Sequence, residues 1–338
     1  MSDTKQPSSI LVYVGLDLVG DGLMKLPFIR ALRQSYPEAR ITWLAGKGKS
    51  IFSGMLAETV EGLIDEVIDE TPVGSWWSEL FSRPLPGRRF DLIIDTQRRL
   101  LTTAILKRID HGLFISGAGN FLLSDKRPNG SYEKPRSMVA ALFDLLDLAV
   151  GAPVRPKGGL KIPDNFNKAA QDILSNGKNY IGLSPGAGGK HKCWPLENFC
   201  SLAQRLASAG NLPVVFLGPG EADWESEIQR LAPSALLPLQ DEKAAPFNNS
   251  PLLTIALATR LKAAVANDSG TGHMLAAANT PLVSLFGPTP PEKFAPFVSL
   301  GKIVTAQSFG TEEMSAIPVD AVSEALEDLL TQATKIKS

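Results

Sequence analysis

Two α/β domains, each a doubly wound, Rossmann-like parallel sheet, are predicted by three features of this sequence. Short β-branched runs suit strands buried on both faces, amphipathic stretches alternate with them, and the pattern restarts after a Pro- and Gly-rich break near the middle. ILVYV (10–14) is the first strand and is followed by a glycine-containing turn. Leu23, Leu26, Ile29, Ala31 and Leu32 then recur at roughly helical spacing until Pro37 closes the segment. ITWLA (41–45) and DLIID (91–95) read as further strands, with helical patterns near 50–57 and 100–108 and a helix at 136–149. GAPVRPKGGLKIPDN follows, poor in periodic apolar residues, and reads as the linker between domains 1–155 and 156–338. Beyond it YIGLS, PVVFLG, AAVAN and PLVSLFG are strand-like, with helical stretches at 196–209, 221–231 and 252–260. Pattern alone fixes no partner for the last helix, 319–333, which in folds of this kind commonly crosses back to the first domain.

Size and composition agree with two soluble domains. At 338 residues the chain exceeds the roughly 250 to 300 at which single cores divide. Its hydrophobic share of 44% fills two cores. The polar ends, MSDTKQPSS and KIKS, are expected to carry no structure. With 34 basic and 35 acidic residues the net charge is -1, so no global field draws nucleic acid or anionic lipid, and any basic site is local. Cys193 and Cys200 are too few for a zinc cage and too far apart for a CxxC pair, which suits a reducing compartment, the cytoplasm. The first apolar run lacks the flanks of a signal peptide and is interrupted by Asp17. Nowhere do eighteen apolar residues run together, so any membrane contact is expected to be peripheral.

Phosphate loops of the common kinds fail on inspection. Gly48-Lys49-Ser50 has Trp43 where a Walker loop needs its first glycine, and Gly189-Lys190 is followed by His191 and preceded by Ser184 at the glycine position. Neither half shows GxGxxG after its first strand, which argues against nicotinamide or flavin. No DxD pair offers ligands for a metal-dependent sugar transferase.

Four segments, in order, carry a resemblance: VGDGLMKLPFIRALR after the first strand, KCWPLENF (192–199), LGPGEADWE (217–225), and NDSGTGHMLAAA (267–278) leading into LFGPT (285–289). Together they resemble glycosyltransferase family nine, the ADP-heptose:lipopolysaccharide heptosyltransferases, over nearly the whole chain. The resemblance implies a GT-B fold of two facing Rossmann-like domains, with acceptor and catalytic base in the first and sugar nucleotide in the second. It also implies an ADP-sugar as donor substrate with no cofactor and no metal, and an anionic glycolipid or glycan as acceptor.

Asp21 lies just past the carboxyl end of the first strand and at the start of a helix, whose positive end favours the carboxylate. In the resembling family the aspartate of this Gly-Asp pair is the proposed general base; the plainer alternative is an N-cap. Asp268, Ser269, Gly270, Thr271 and Gly272 form a loop of mostly small residues between a strand and a helix, suited to cradling a diphosphate, with Asp268 able to accept from sugar hydroxyls. His273 can donate to phosphate, or be an ordinary core histidine. By the same resemblance Lys192 directs its ammonium at the donor phosphates, against the alternative of a solvated surface lysine. Glu221 likewise holds the ribose hydroxyls, against that of an acid complementing a helix dipole.

The chain also departs from that pattern. Gly15 stands where many members carry Arg or Lys, Arg98 and Arg99 where they carry Gly-Leu, and Ala187 and Gly188 where some place hydroxyl donors to phosphate. The first two changes fall on the acceptor side, where Arg98 and Arg99 become candidate acceptor contacts. Further basic residues, Lys107, Arg108, Lys126, Arg127, Lys134 and Arg136, are expected to steer an anionic acceptor. SWWSELFSRPLPGRRF, with Trp76, Trp77 and Phe81 beside Arg83, Arg88 and Arg89, suits a membrane surface or lipid-linked acceptor; the plainer reading has the Trp pair covering the core edge. Two rival functions stand beside transfer: a sugar-nucleotide epimerase on the same fold, and a catalytically silent binding module, at which Gly15 hints.

Overall fold

A computed structural model describes residues 6–16, 19–70, 73–74, 76–157 and 159–337, without the side chains of 336–337. The expected disorder of residues 1–5 and the interruption at Asp17 lie outside the described residues. The chain forms two compact units, Met1–Gly158 and Gly159–Ser338, divided within the Pro- and Gly-rich stretch.

The first unit runs β1 (Ser9–Val14), α1 (Val19–Ser35), β2 (Arg40–Ala45), β3 (Glu66–Ile68), β4 (Arg89–Asp95), α2 (Leu100–Leu106), β5 (Asp110–Ser116) and α3 (Met138–Val150). Its sheet has the order β3-β2-β1-β4-β5, and its pairings are parallel. Ile10, Leu11, Val12 and Val14 are wholly buried, as a central strand covered on both faces requires. The amino end is tied down further than its polarity suggested: Asp91 Oδ2 accepts from Ser8 N at 2.9 Å, Ser8 Oγ at 2.7 Å and Ser9 N at 3.2 Å.

The second unit runs α4 (Asp164–Ile173), β6 (Tyr180–Ser184), α5 (Leu196–Ser208), β7 (Leu212–Val215), α6 (Glu225–Leu231), α7 (Pro251–Ala258), β8 (Ala263–Asn267), α8 (Gly270–Ala277), β9 (Leu282–Phe286), α9 (Pro291–Phe294), β10 (Gly301–Thr305) and α10 (Val319–Lys337). The strand order is β10-β9-β8-β6-β7, again parallel. The last helix packs on the core of this unit. Val322, Leu326 and Leu329, on one face of α10, are buried in the same core as Trp194, Leu202, Val265 and Leu285.

Two local expectations are corrected. Residues 50–57 form 3-10 turns, Ile51–Ser53 and Ala57–Val60, where an α-helix was expected, and 221–231 divides into a 3-10 turn, Pro219–Trp224, and α6. Both sheets reverse direction around one strand, with β1 between β2 and β4 and β6 between β8 and β7. In open α/β sheets ligands bind beyond the carboxyl ends of strands at such a switch point, because the loops there diverge and leave a crevice.

Candidate functional site

At the switch point of the second unit the loops after β6 and β8 are locked together. Asn267, the last residue of β8, is 1% exposed. Its Nδ2 donates to the Pro185 carbonyl at 2.7 Å, and its Oδ1 accepts from the Trp194 backbone N-H at 3.1 Å. Trp194 is buried, donates Nε1 to the Ile317 carbonyl at 2.8 Å and packs edge-on to Phe199. This seat fixes the residue two before it: Lys192 Nζ sits 3.0 Å from Asp268 Oδ2, which also accepts from Thr289 Oγ1 at 2.7 Å. Lys192 is therefore no solvated surface lysine; it is half-buried on a carboxylate.

Asp268 leads directly into α8. Ser269 caps that helix, its Oγ accepting from Gly272 N at 3.1 Å, so the remaining amides of the first turn point out of the helix end with its positive dipole. Gly270 and Thr271 stand half-exposed there, while His273, one turn in, is buried. Burial pushes the His273 imidazole down to about 4, with the nearby Asp268 charge opposing only in part. The ring is thus neutral near pH 7 and has one N-H to donate.

Glu221 closes the other side of the β6 loop. Its Oε2 accepts the Gly218 amide at 2.9 Å at the start of the turn Pro219–Trp224, so it does serve as a cap. Its carboxylate also lies against Gly186, where an added Cβ would stand 2.5 Å from Oε1. Gly186 is what lets the acid approach the end of β6. Beside it Ala187 is half-exposed, and Gly188 is exposed with open space where a side chain would be. We expect Gly186→Ala to displace the Glu221 carboxylate, weakening nucleotide binding about tenfold by calorimetry. The loss of stability should stay near that of one cap, about 0.5 to 2 kcal/mol, since the displaced carboxylate is the end of a flexible side chain that otherwise holds the Gly218 amide. Unaltered nucleotide affinity would show that Glu221 contributes nothing to binding.

In the first unit Asp21 is the third residue of α1, inside its first turn, rather than the N-cap residue. Gly15, at the end of β1, leaves room for Gln97: a Cβ there would stand 3.0 Å from Gln97 Oε1. The departure at Gly15 is thereby matched by one on β4, whose following loop carries Gln97, Arg98 and Arg99. That loop is pinned by Asp95, which is fully buried and accepts from Gln97 N at 2.8 Å, Thr103 Oγ1 at 2.6 Å and Ser116 Oγ at 2.8 Å. Arg98 and Arg99 are exposed, Arg98 beside Tyr132 and Arg99 at the start of α2.

Several of the other basic residues have partners within the unit. Arg88 grips Glu66 through two nitrogens at 2.8 and 2.6 Å and holds that carboxyl down at about 2. Lys107 pairs with Asp125 at 2.8 Å, Lys126 bonds the carbonyls of Leu148 and Ala149, and Arg127 that of Leu122. The Trp pair does not cover the core edge: Trp76 and Trp77 are 67% and 68% exposed.

Residues 80–316 match the sequence profile of Glycosyltransferase family 9 (heptosyltransferase). The chain belongs to glycosyltransferase family 9. It is 30% identical over 316 residues to the lipopolysaccharide heptosyltransferase 2 of Salmonella typhimurium, covering 87% of each chain. In fold it is similar to a family 9 glycosyl transferase from Veillonella parvula, with a TM-score of 0.69 at 20% identity over 96% of this chain and 97% of that one. It is similar also to the E. coli heptosyltransferase WaaC solved with ADP, with a TM-score of 0.63 at 19% identity over 95% and 99%. The fold class is that of GT-B glycosyltransferases, and as a family 9 member the protein is a glycosyltransferase of the heptosyltransferase family.

Within this family 9 chain, sequence reasoning assigned no role to Asn267 or Thr289, although both lie in the segments that carried the resemblance. An asparagine ending a buried apolar strand was the available signal, since a fully buried carboxamide needs partners on both its ends.

Proposed function

We propose that this enzyme transfers a heptose, L-glycero-D-manno-heptose, from its ADP form to a hydroxyl of the lipopolysaccharide inner core or a similar anionic glycan, with inversion and without a metal ion. The observation that carries the reading is the Lys192–Asp268–Thr289 cluster at the capped amino end of α8, where a cation, helix amides and a neutral imidazole converge. ADP is taken over from the E. coli relative, which was solved with it.

As the bond from the anomeric carbon to phosphate oxygen breaks, charge grows on the departing diphosphate. Lys192, the His273 N-H, the Ser269 hydroxyl and the amides of Gly270, Thr271 and Gly272 are the groups assigned to stabilise it. Asp268 holds Lys192 with one oxygen and keeps the other for a sugar hydroxyl. Glu221 takes the ribose diol, and the backbone of Ala187 and Gly188 approaches the phosphates. The acceptor oxygen forms the new bond on the opposite face of the sugar and gives its proton to Asp21. Arg98 and Arg99 meet acidic groups of the acceptor. The reaction belongs in the cytoplasm, at the inner face of the bacterial inner membrane.

The test is a donor panel, ADP-heptose against UDP- and GDP-sugars, with and without a truncated inner-core acceptor. ADP release that requires both ADP-heptose and acceptor is expected. Conversion of the donor without acceptor would favour an epimerase, and binding without turnover a silent module. Lys192→Ala is expected to weaken ADP-heptose binding by roughly tenfold or more and to blunt its salt dependence. Salt-insensitive binding in the parent enzyme would contradict the assignment.

A further inference from the structure

We propose that Trp76, Trp77 and Phe81 form a docking surface for an anionic phospholipid bilayer. The proposal rests on the first unit alone and is independent of the donor chemistry. The turn Trp77–Phe81 is two-faced: Leu80 packs against the core, while Trp76, Trp77 and Phe81 are 67%, 68% and 80% exposed. Trp77 and Phe81 stand edge to face, ring centroids 6.1 Å apart, as one apolar tip.

This exposure does not come from a loose loop. Glu79 accepts the Gly74 amide at 2.7 Å and the Trp76 amide at 2.6 Å. Thr102 Oγ1 donates to the Gly74 carbonyl and Tyr13 Oη to that of Val73, each at 2.6 Å. Arg108 Nε donates to the Ser82 carbonyl at 3.0 Å. The backbone is fastened from both sides while three large aromatic side chains are held in water, an arrangement that loses free energy unless something covers them.

Charge and chemistry select the cover. Glu79, the one acid between Trp76 and Arg89, spends both carboxylate oxygens on backbone amides. Beside the tip lie Arg83, two residues past Phe81 and 66% exposed, and the exposed Arg108, bonded to Ser82; Arg89, at the start of β4, is also 66% exposed. Arg83 meets Asp110 at 3.2 Å and Arg89 meets Asp91 at 3.7 Å. Exposed pairs of this kind hold weakly and can yield to phosphate. Among the described residues Arg108 is hydrogen-bonded only through Nε. Indole rings combine an apolar body with an N-H and settle at the headgroup level of a bilayer, where arginines meet phosphates. A protein partner would need a broad matching face, roughly 800 Å² a side, which three side chains on a narrow turn do not offer.

The experiment is flotation of the full chain with vesicles of phosphatidylglycerol and phosphatidylcholine, or of phosphatidylcholine alone, at low and high salt. Binding to the anionic vesicles is expected, weakened by salt, and reduced about tenfold or more in Trp76→Ser/Trp77→Ser/Phe81→Ser. Arg83→Ala/Arg108→Ala should lower it several-fold. Brominated lipid should quench the parent and not Trp76→Phe/Trp77→Phe, because of the other three tryptophans Trp43 and Trp194 are buried and Trp224, half-buried, packs on the core of the second unit. Circular dichroism and ADP affinity confirm that the variants are folded. Equal flotation of parent and serine variant, indifference to lipid charge, or a dimer that the serine variant dissolves would overturn the proposal, the last assigning the surface to a second copy.

Discussion

Asp21→Asn is expected to fold normally, bind ADP-heptose with parental affinity and turn over about 10² to 10⁴ times more slowly. Stability should hold because α1 is anchored by other side chains, with Leu23, Leu26, Phe28, Ile29 and Leu32 all buried. Removing one negative charge from its first turn costs at most about 1 kcal/mol. The amide matches the carboxylate in shape but accepts no proton, so an acceptor hydroxyl would have to attack while still carrying its own. A rate loss of that size corresponds to about 3 to 5 kcal/mol of transition-state free energy. Donor affinity should stand because every residue assigned to the donor belongs to the second unit. The measurements are steady-state turnover with ADP-heptose and acceptor, and calorimetry with ADP. Near-parental turnover in a folded Asn variant would remove the base assignment and leave Asp21 as a first-turn acid that complements the dipole.

The strands that could be read from sequence, β1, β2, β4, β6, β7, β8 and β9, are largely apolar and largely buried. Those that escaped are partly polar. β5 opens Asp110-His111-Gly112, β10 is an edge strand whose residues are all partly accessible, and β3 has three residues. Of the site, the loop residues could be named from their segments, but their engagement could not. That Lys192 meets Asp268, 76 positions away, follows from β6 lying beside β8, and strand order is not written in local pattern. Gly186 against Glu221 has the same origin. The Trp pair shows the converse difficulty. Helical spacing could not tell which way a turn of two Trp, a Leu and a Phe would face, and it was Leu80 that went in.

Between pH 6 and pH 4.5 the two units should respond to acid in opposite directions. Asp95, fully buried in the first unit, is raised from 3.8 to about 6, chiefly by burial, with hydrogen bonds from Thr103, Gln97 and Ser116 opposing. In this window the folded unit therefore binds a proton that the unfolded chain has released. Its contribution to stability is fully present below 3.8 and is lost as pH rises through about 6, a difference of about 3 kcal/mol. The extra proton can be accommodated because Thr103 Oγ1 lies 3.2 Å from the Arg99 carbonyl and can turn its own hydrogen there. His273 has the reverse sign. Its folded value, about 4, lies below the 6.5 of the unfolded chain, so the second unit is most stable above 6.5 and loses about 3 kcal/mol as pH falls through 4. The carboxylates of the first unit whose values are lowered, Glu66, Asp69, Asp91 and Asp125, give up their stabilisation only below their ordinary values near 4, which leaves the window to Asp95. Hydrogen exchange resolved by segment should show protection rising in β1, β4 and β5 on acidification while it falls in β6, β8 and β9. Asp95→Asn should abolish the first trend and His273→Gln the second. If protection in both units moved together, or if either variant kept its unit's trend, the burial argument for that group would be wrong, and for His273 the neutral donor assigned to the diphosphate would go with it.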